Sequence, residues 1–352
     1  MNNSICINGR YIGDDYPTYV IAEMSANHLQ NIDRAKCIIL EAKYAGADAI
    51  KLQSYRPDTI TIDCRGEEFM ASKGSLWEGK NLYQLYEEAY MPWEWHKDLF
   101  EYAQEIGITI FSSPFDFSSV DLLEELNAPA YKIASYEIMD IPLIRKVAQT
   151  GKPIILSTGI ANISDIQLAI DTCKKEGNSN IVLLKCVSEY PTPYEDINLN
   201  TLRNMSETFD VITGLSDHSM GSVVDVAAVA LGAKIIEKHL TLSREDGGPD
   251  CVFSIEPKEF KQMVEDIRNT EKALGNCTYE LNQKQINSRS KSRSLYVVSD
   301  IKKGEIITDK NVKSIRPGYG IKPMYYDEVL GMVANKELKR GTALSWADIE
   351  RE

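Results

Sequence analysis

Histidine is scarce in this 352-residue sequence, which holds only four, and its seven cysteines (6, 37, 64, 173, 186, 251 and 277) form no pattern. They are odd in number and scattered, with no C-x-x-C spacing, which argues against a disulfide framework and against a structural zinc site. Buried small hydrophobes in a reducing compartment are their expected role. No run approaches 18 consecutive apolar residues, and the opening stretch "MNNSICINGRYIGDDYP" lacks the basic and apolar regions of a signal peptide. A cytoplasmic protein with no membrane partner is expected. Basic residues are outnumbered, 39 Lys+Arg against 52 Asp+Glu, for a net charge of -13. That balance repels nucleic acid and anionic membranes over most of the exterior, so an anionic ligand requires a locally basic pocket.

What is present is a rhythm. Eight short apolar, β-branched runs recur: "YVIAEMS" (19 to 25), "DAIKLQS" (48 to 54), "ITIFSSP" (108 to 114), "AYKIAS" (130 to 135), "PIILST" (153 to 158), "IVLLKC" (181 to 186), "VITGLS" (211 to 216) and "KIIEKHL" (234 to 240). Each reads as a buried parallel strand. Segments with helical spacing separate them, including "NIDRAKCIILEAKYAG", "SVDLLEELN", "PLIRKVAQTG", "SDIQLAIDTCKKEG" and "VVDVAAVALG", several closed by glycine. Eight strands alternating with helices predict an α/β fold, a (β/α)8 TIM barrel. A long second connection, residues 55 to 107, is expected to shape the site, and "SICINGRYIG", alternating around Asn-Gly, predicts a hairpin at the barrel floor.

After "EDIRNTEKALGN" the composition changes. The reading is a catalytic barrel over 1–276, a polar and basic linker over 277–293, and a small β-rich domain over 294–352. A domain of about 60 residues is marginal by itself and is expected to pack on something.

Barrel chemistry is built at the C-terminal ends of the strands. All eight runs end in polar or charged residues, among them Glu23, Lys51, Gln53, Ser113, Lys132, Ser135, Glu137, Ser157, Lys185, Ser188, Ser216, Asp217, His218, Glu237, Lys238 and His239. Buried unpaired charges cost several kcal/mol each, so a convergent set of Lys and Glu implies a ligand or a partner network. His218 and His239 end neighbouring strands, where two imidazoles can share a divalent cation and leave positions open for water or a substrate oxygen. Mixed nitrogen and oxygen ligation suits Mn2+, with Mg2+ or Co2+ as alternatives, and Glu23 and Asp250 are candidates to complete the shell. Lys51 and Lys132 with Ser135, Ser157 and Ser216 form a candidate anion cradle. A salt bridge from Lys132 to Glu137, or a Schiff-base lysine in "YKIAS", are the competing readings there. His28 is equally compatible with a helix entry, a substrate contact or a ligand, and His96 with a surface or packing role.

At "IAEMSANH", "AIKLQSYRPDT", "FSSPFD", "YKIAS", "ILSTG", "GLSDHS", "EKHLTL" and "GGPD" the chain resembles the sialic acid synthase family, phosphoenolpyruvate-dependent makers of nine-carbon sugar acids. The stretch with "SIRPGYGI" is similar to the family's antifreeze-like (SAF) domain, a small β-clip fold. Within the family, "AEMSANH", "LYEEAYMPWEWH", "SSPFD", "LLKCVSEYPTP" and "GGPD" resemble the pseudaminate branch more than the N-acetylneuraminate branch.

The resemblance implies roles. His218 and His239 match metal ligands, and Glu23 the catalytic carboxylate. Lys51, Lys132, Ser135, Ser157, Ser188 and Ser216 match positions that hold phosphoenolpyruvate, with Ser188 replacing Asn and Ser113 replacing Thr of the neuraminate branch. Gln53, Glu137, Tyr190 and Asp250 fall among the substrate positions. Arg316 matches an arginine delivered to the partner subunit's site, which implies a domain-swapped homodimer. An N-acetylneuraminate or legionaminate synthase using a mannose-type acceptor, a ketodeoxy-acid synthase of the phosphoenolpyruvate-condensing superfamily, a Schiff-base aldolase and a non-catalytic sugar binder are the rival readings.

Overall fold

The computed structural model describes residues 4–351, and the chain divides into two compact units at the boundary between Gly275 and Asn276. In the first unit a hairpin, β1 (Ile5–Ile7) and β2 (Arg10–Ile12), precedes eight parallel strands. These are β3 (Tyr19–Glu23), β4 (Ala49–Ser54), β5 (Thr109–Pro114), β6 (Tyr131–Ile133), β7 (Ile154–Ser157), β8 (Ile181–Lys185), β9 (Ile212–Asp217) and β10 (Ile235–His239). They close in sequence order, with β10 pairing back onto β3, so the expected TIM barrel is what forms.

Helices fill the connections. α1 (Ile32–Tyr44) follows β3, and α2 (Pro57–Ile60), α3 (Leu82–Ala89) and α4 (Trp93–Ile106) occupy the long second connection. α5 (Phe117–Glu125), α6 (Ile141–Ala148), α7 (Ile163–Lys175), α8 (Thr201–Phe209), α9 (Val223–Ala230) and α10 (Pro257–Leu274) complete the outer layer. Side-chain caps start several of them: Asn31 accepts the Arg34 N–H at 3.0 Å, and Asn162 accepts those of Ser164 and Asp165. α4 stops at Gly107, whose φ of 74° suits a residue without Cβ.

Strand alternation sets the two sides of the sheet. Tyr19, Ile21, Ala49, Phe111, Ala130, Ile155, Val182, Leu184, Ile212 and Ile235 fill the barrel's interior, and Ile5, Ile7 and Ile12 of the hairpin join the same cluster. Each Ile, Val or Leu so buried contributes on the order of 1.5–3 kcal/mol. The hairpin turns at Asn8 and Gly9, both at positive φ, and its inward isoleucines cap the barrel interior as the sequence anticipates. The cysteine expectation needs correcting. Cys173, Cys186 and Cys251 are buried, but Cys6, Cys37 and Cys277 are exposed. Cys6 alternates outward between Ile5 and Ile7, and Cys37 stands on the solvent side of α1.

The second unit has its own apolar cluster, which includes Leu295, Val297, Ile301, Val312, Leu338 and Leu344. The stretch read as a linker carries a helix, α11 (Gln283–Arg289), begun by a reciprocal Asn282–Gln285 cap. Its strands form two antiparallel pairs, β11 (Ser294–Val297) with β12 (Val312–Ile315) and β13 (Val333–Ala334) with β14 (Ile349–Glu350). Among the described residues no helix is long and apolar enough to cross a membrane.

Candidate active site

The interior face that is apolar at the barrel's base becomes polar at its C-terminal mouth. A residue two positions on points the same way, so Ile21 is succeeded by Glu23, Ala49 by Lys51 and Gln53, Phe111 by Ser113, and Ala130 by Lys132. Ile155 gives way to Ser157, Leu184 to Cys186, Gly214 to Ser216 and His218, and Ile235 to Glu237 and His239. Lys238, one residue out of phase, faces the helices, where it pairs with Asp217 and lies 3.6 Å from Asp225.

Four charges meet below the mouth. Lys51 Nζ is 3.1 Å from Glu23 Oε2 and 3.0 Å from Glu237 Oε1, and Lys132 Nζ is 3.6 Å from the same Glu237 oxygen. The Ser216 hydroxyl donates to Glu237 Oε1 at 3.0 Å, and Lys51 reaches Ser113 Oγ at 3.4 Å. Burial opposes the charge on Glu237, but Lys132 and Lys51 outweigh it and hold the carboxyl down at about 2. Burial likewise works against the Lys51 ammonium, yet Glu23 and Glu237 keep it charged. Lys132, for which burial dominates, is lowered. Glu23 is different: burial, with some help from Glu237, pushes it up to about 7 despite Lys51 and Lys132. Its Oε1 accepts the Ser25 N–H and the Gln53 amide, each at 3.1 Å, which fixes the carboxyl's orientation.

Beside the lysines is a hydroxyl-lined cradle. Ser135 Oγ accepts the Gly159 N–H at 3.1 Å, and a Cβ placed on Gly159 would collide with Ser188 Oγ and stand 2.7 Å from Ser135 Oγ. Backbone and two hydroxyls therefore converge where only glycine fits. The Ser157 and Ser188 hydroxyls are buried with no hydrogen-bond partner among the described residues. Two ammonium groups beside such hydroxyls can hold a multiply charged anion.

The histidines meet as their strand positions foretell, with ring centroids 5.3 Å apart. His218 Nδ1 is 2.9 Å from the Val187 carbonyl, which in the neutral ring leaves the Nε2 lone pair available, and His239 Nδ1 is buried without a partner among the described residues. Burial depresses His239 well below its ordinary value, so its ring is neutral, as a metal ligand must be. Burial also lowers His218, but Cys186 and the Val187 carbonyl outweigh it and hold the ring above its ordinary value. An incoming cation would displace that proton, which makes affinity pH-dependent. The pair fits a divalent ion whose other positions are taken by water or ligand oxygens. It does not fit a protein-filled shell: among the described residues no group of three His, Cys, Asp or Glu side chains could hold a metal.

Two readings are thereby revised, and a third is narrowed to one of its two alternatives. Glu23 is engaged with Lys51, Ser25 and Gln53, and Asp250 accepts from Ser25 Oγ and the Ala26 N–H, so neither completes the histidine pair. Lys132 pairs with Glu237, not Glu137, because Glu237 shares its interior face. His96 is fully buried behind the sheet, bonded to Ser54 Oγ at 2.8 Å, so its role is packing and not surface. His28 is also buried, with Nδ1 accepting the Gln30 N–H at 3.1 Å, and burial drives it down to about 4. Glu137 is pushed up to about 7 by burial. Arg316 lies in the second unit, exposed, just after β12. The sequence reading passed over Glu237 as a site residue, together with Cys186, Gly159 and Phe253. For Glu237 the signal was available, since it stands two residues before His239 on a strand and must share its face.

A closed eight-stranded barrel with a buried acid, paired lysines and paired imidazoles at its C-terminal mouth defines an enzyme of the (β/α)8 class. The NeuB family model matches residues 38–279 and the SAF domain model matches 292–350, and the chain belongs to the NeuB family. It is 46% identical over 336 residues to a pseudaminic acid synthase of Helicobacter pylori, covering 95% of this chain and 98% of that one. It is 38% identical to an N,N'-diacetyllegionaminic acid synthase of Campylobacter jejuni, with 92% and 97% covered. Among solved structures, the N-acetylneuraminic acid synthetase of Leptospira borgpetersenii in complex with citrate superposes with a TM-score of 0.72 at 33% identity, covering 82% of this chain and 95% of that one.

Proposed function

We propose that the protein is a cytoplasmic pseudaminic acid synthase that condenses phosphoenolpyruvate with 2,4-diacetamido-2,4,6-trideoxy-L-altrose, releasing phosphate by C–O cleavage. The observation that carries this reading is one barrel mouth in which Lys51 and Lys132 stand beside a serine cradle while Glu23 and two facing imidazoles complete the wall. The similarity to pseudaminic acid synthases over nearly the whole chain supports the acceptor.

Lys51 and Lys132, with Ser113, Ser135, Ser157, Ser188 and Ser216, bind the phosphate and carboxylate of phosphoenolpyruvate and orient its C3 toward the aldehyde carbon of the sugar. His218 and His239 would hold a divalent cation, Mn2+ in this reading, which when bound polarises a carbonyl oxygen as a Lewis acid. Gln53, Glu137, Tyr190 and Asp250 position the acceptor. Once the carbon–carbon bond has formed, Glu23 takes a proton from the water that adds at C2, and phosphate leaves that tetrahedral carbon. The buried surroundings that raise Glu23 suit a base working near neutral pH.

Arg316 reaches the acceptor from a partner subunit in a domain-swapped homodimer. The exposed side chains of Tyr136, Met139, Ile160, Met220 and Val223 on the barrel's C-terminal loops support such a cover, as do Ile315, Tyr319 and Met324 around Arg316.

The test is phosphate release from phosphoenolpyruvate and Mn2+ with three sugars: the altrose derivative, N-acetylmannosamine and the corresponding diacetamido-mannose. Turnover of the altrose derivative above the others is expected. Preference for a mannose-type sugar would overturn the acceptor assignment, and a borohydride-trapped lysine adduct would overturn the mechanism.

A further inference from the structure

Three aromatic rings lie in a row over the imidazole pair. Tyr190, from the loop after β8, has its ring centroid 4.3 Å from that of His218 and 6.5 Å from that of His239. Phe253, buried in the loop after β10, is 4.9 Å from His239 and 5.0 Å from Tyr190. Trp77, half-buried on the long connection between β4 and β5, extends the row at 6.0 Å from Tyr190. Its indole N–H donates at 3.1 Å to the carbonyl of Pro249, the residue before Asp250.

Building on the functional reading above, we propose that this row is an apolar wall for the acceptor, in which Trp77 selects a sugar whose far end is a methyl instead of a hydroxymethyl group. With C1 at the imidazoles, the carbons of an open-chain hexose run outward along Tyr190 and end at Trp77. A methyl against an indole face gains burial. A hydroxyl there gets no hydrogen bond from the indole, whose single N–H is already spent on Pro249. The distinction concerns the terminal carbon and is indifferent to the configuration of the carbons between it and the aldehyde. An apolar surface of this kind separates such pairs by about 10- to 100-fold.

The experiment compares kcat/KM for the 6-deoxy altrose derivative and its 6-hydroxy counterpart in the full-length enzyme and in Trp77→Ala and Trp77→Phe. The 6-deoxy preference should fall about 10- to 100-fold in Trp77→Ala through the sugar KM, with the phosphoenolpyruvate KM unchanged. Trp77→Phe, which keeps a ring but not the N–H, should retain most of it. Should Trp77→Ala fail to fold, Trp77→Gln carries the same comparison. An unchanged ratio in an active enzyme overturns the proposal alone. Equal losses in Ala and Phe variants on both substrates overturn it too, making Trp77 a prop for the Asp250 loop. A wild-type enzyme that turns over neither sugar sinks the functional reading and the proposal together.

Discussion

Lys51 Nζ lies 3.0 Å from Glu237 Oε1 inside a barrel where both side chains are almost completely shielded from water. An ammonium is tolerated at such depth only with a partner, and the partner here comes from a strand on the other side of β3. The same carboxylate serves Lys132 and Ser216, so one acid is shared between two cations, and Glu23 is the second acid on Lys51.

The elevated Glu23 pKa gives activity a predictable pH limb. A base must be ionised, and with the folded-state value at about 7 the carboxylate fraction grows as pH rises through that point. The turnover rate should climb about tenfold per pH unit below 7 and level off above it. Glu23→Gln should lower turnover by about 10²- to 10⁴-fold and erase the limb. An unchanged acid limb in the residual activity of that variant would assign the titration to another group.

Gly159 should be intolerant of any side chain. In Gly159→Ala the added methyl must displace the hydroxyls of Ser135 and Ser188, and both belong to the anion cradle. The expected loss is about 100-fold in kcat/KM, read through the phosphoenolpyruvate KM. A sugar KM that moves instead would put the cradle on the acceptor side.

Removing either imidazole should abolish cation binding without unfolding the barrel. Calorimetric titration with Mn2+ should show binding in the wild type and none in His218→Ala or His239→Ala, while circular dichroism stays native. Phosphate release should cease in both variants. Full activity in either would end the case for a shared cation.

Subunit exchange can be read by complementation. Arg316→Ala and His239→Ala each impair the site, yet in a swapped dimer of the two variants one mouth receives an intact barrel and an intact arginine. Mixing the inactive proteins should restore activity. If each arginine served its own barrel, every mouth in the mixture would carry a lesion and none would recover.

Much of the barrel was legible because β-branched runs of strand length bounded by polar residues leave few alternatives. The run "AYKIAS" shows where that legibility stops: β6 ends at Ile133, because Ser135–Glu137 turn into a 3₁₀ helix that carries Ser135 to Gly159. α8 went unremarked although Leu202, Met205 and Phe209 are its buried face. Their spacing at i, i+3 and i+7 is that of one helix face, so the signal for this helix was present in the sequence.

By itself the sequence determined which side chains face inward at the mouth, since alternation along a strand is a local property of the extended backbone and needs no partner. It could not decide what those side chains bond. Glu237 belongs to Lys51 and Lys132, Asp250 to Ser25, and Trp77 to Pro249, because closure of the sheet and folding of the loops set distances that chain separation does not record. Coulomb and hydrogen-bond energies depend on those distances, so the pairings exist only once the barrel has closed.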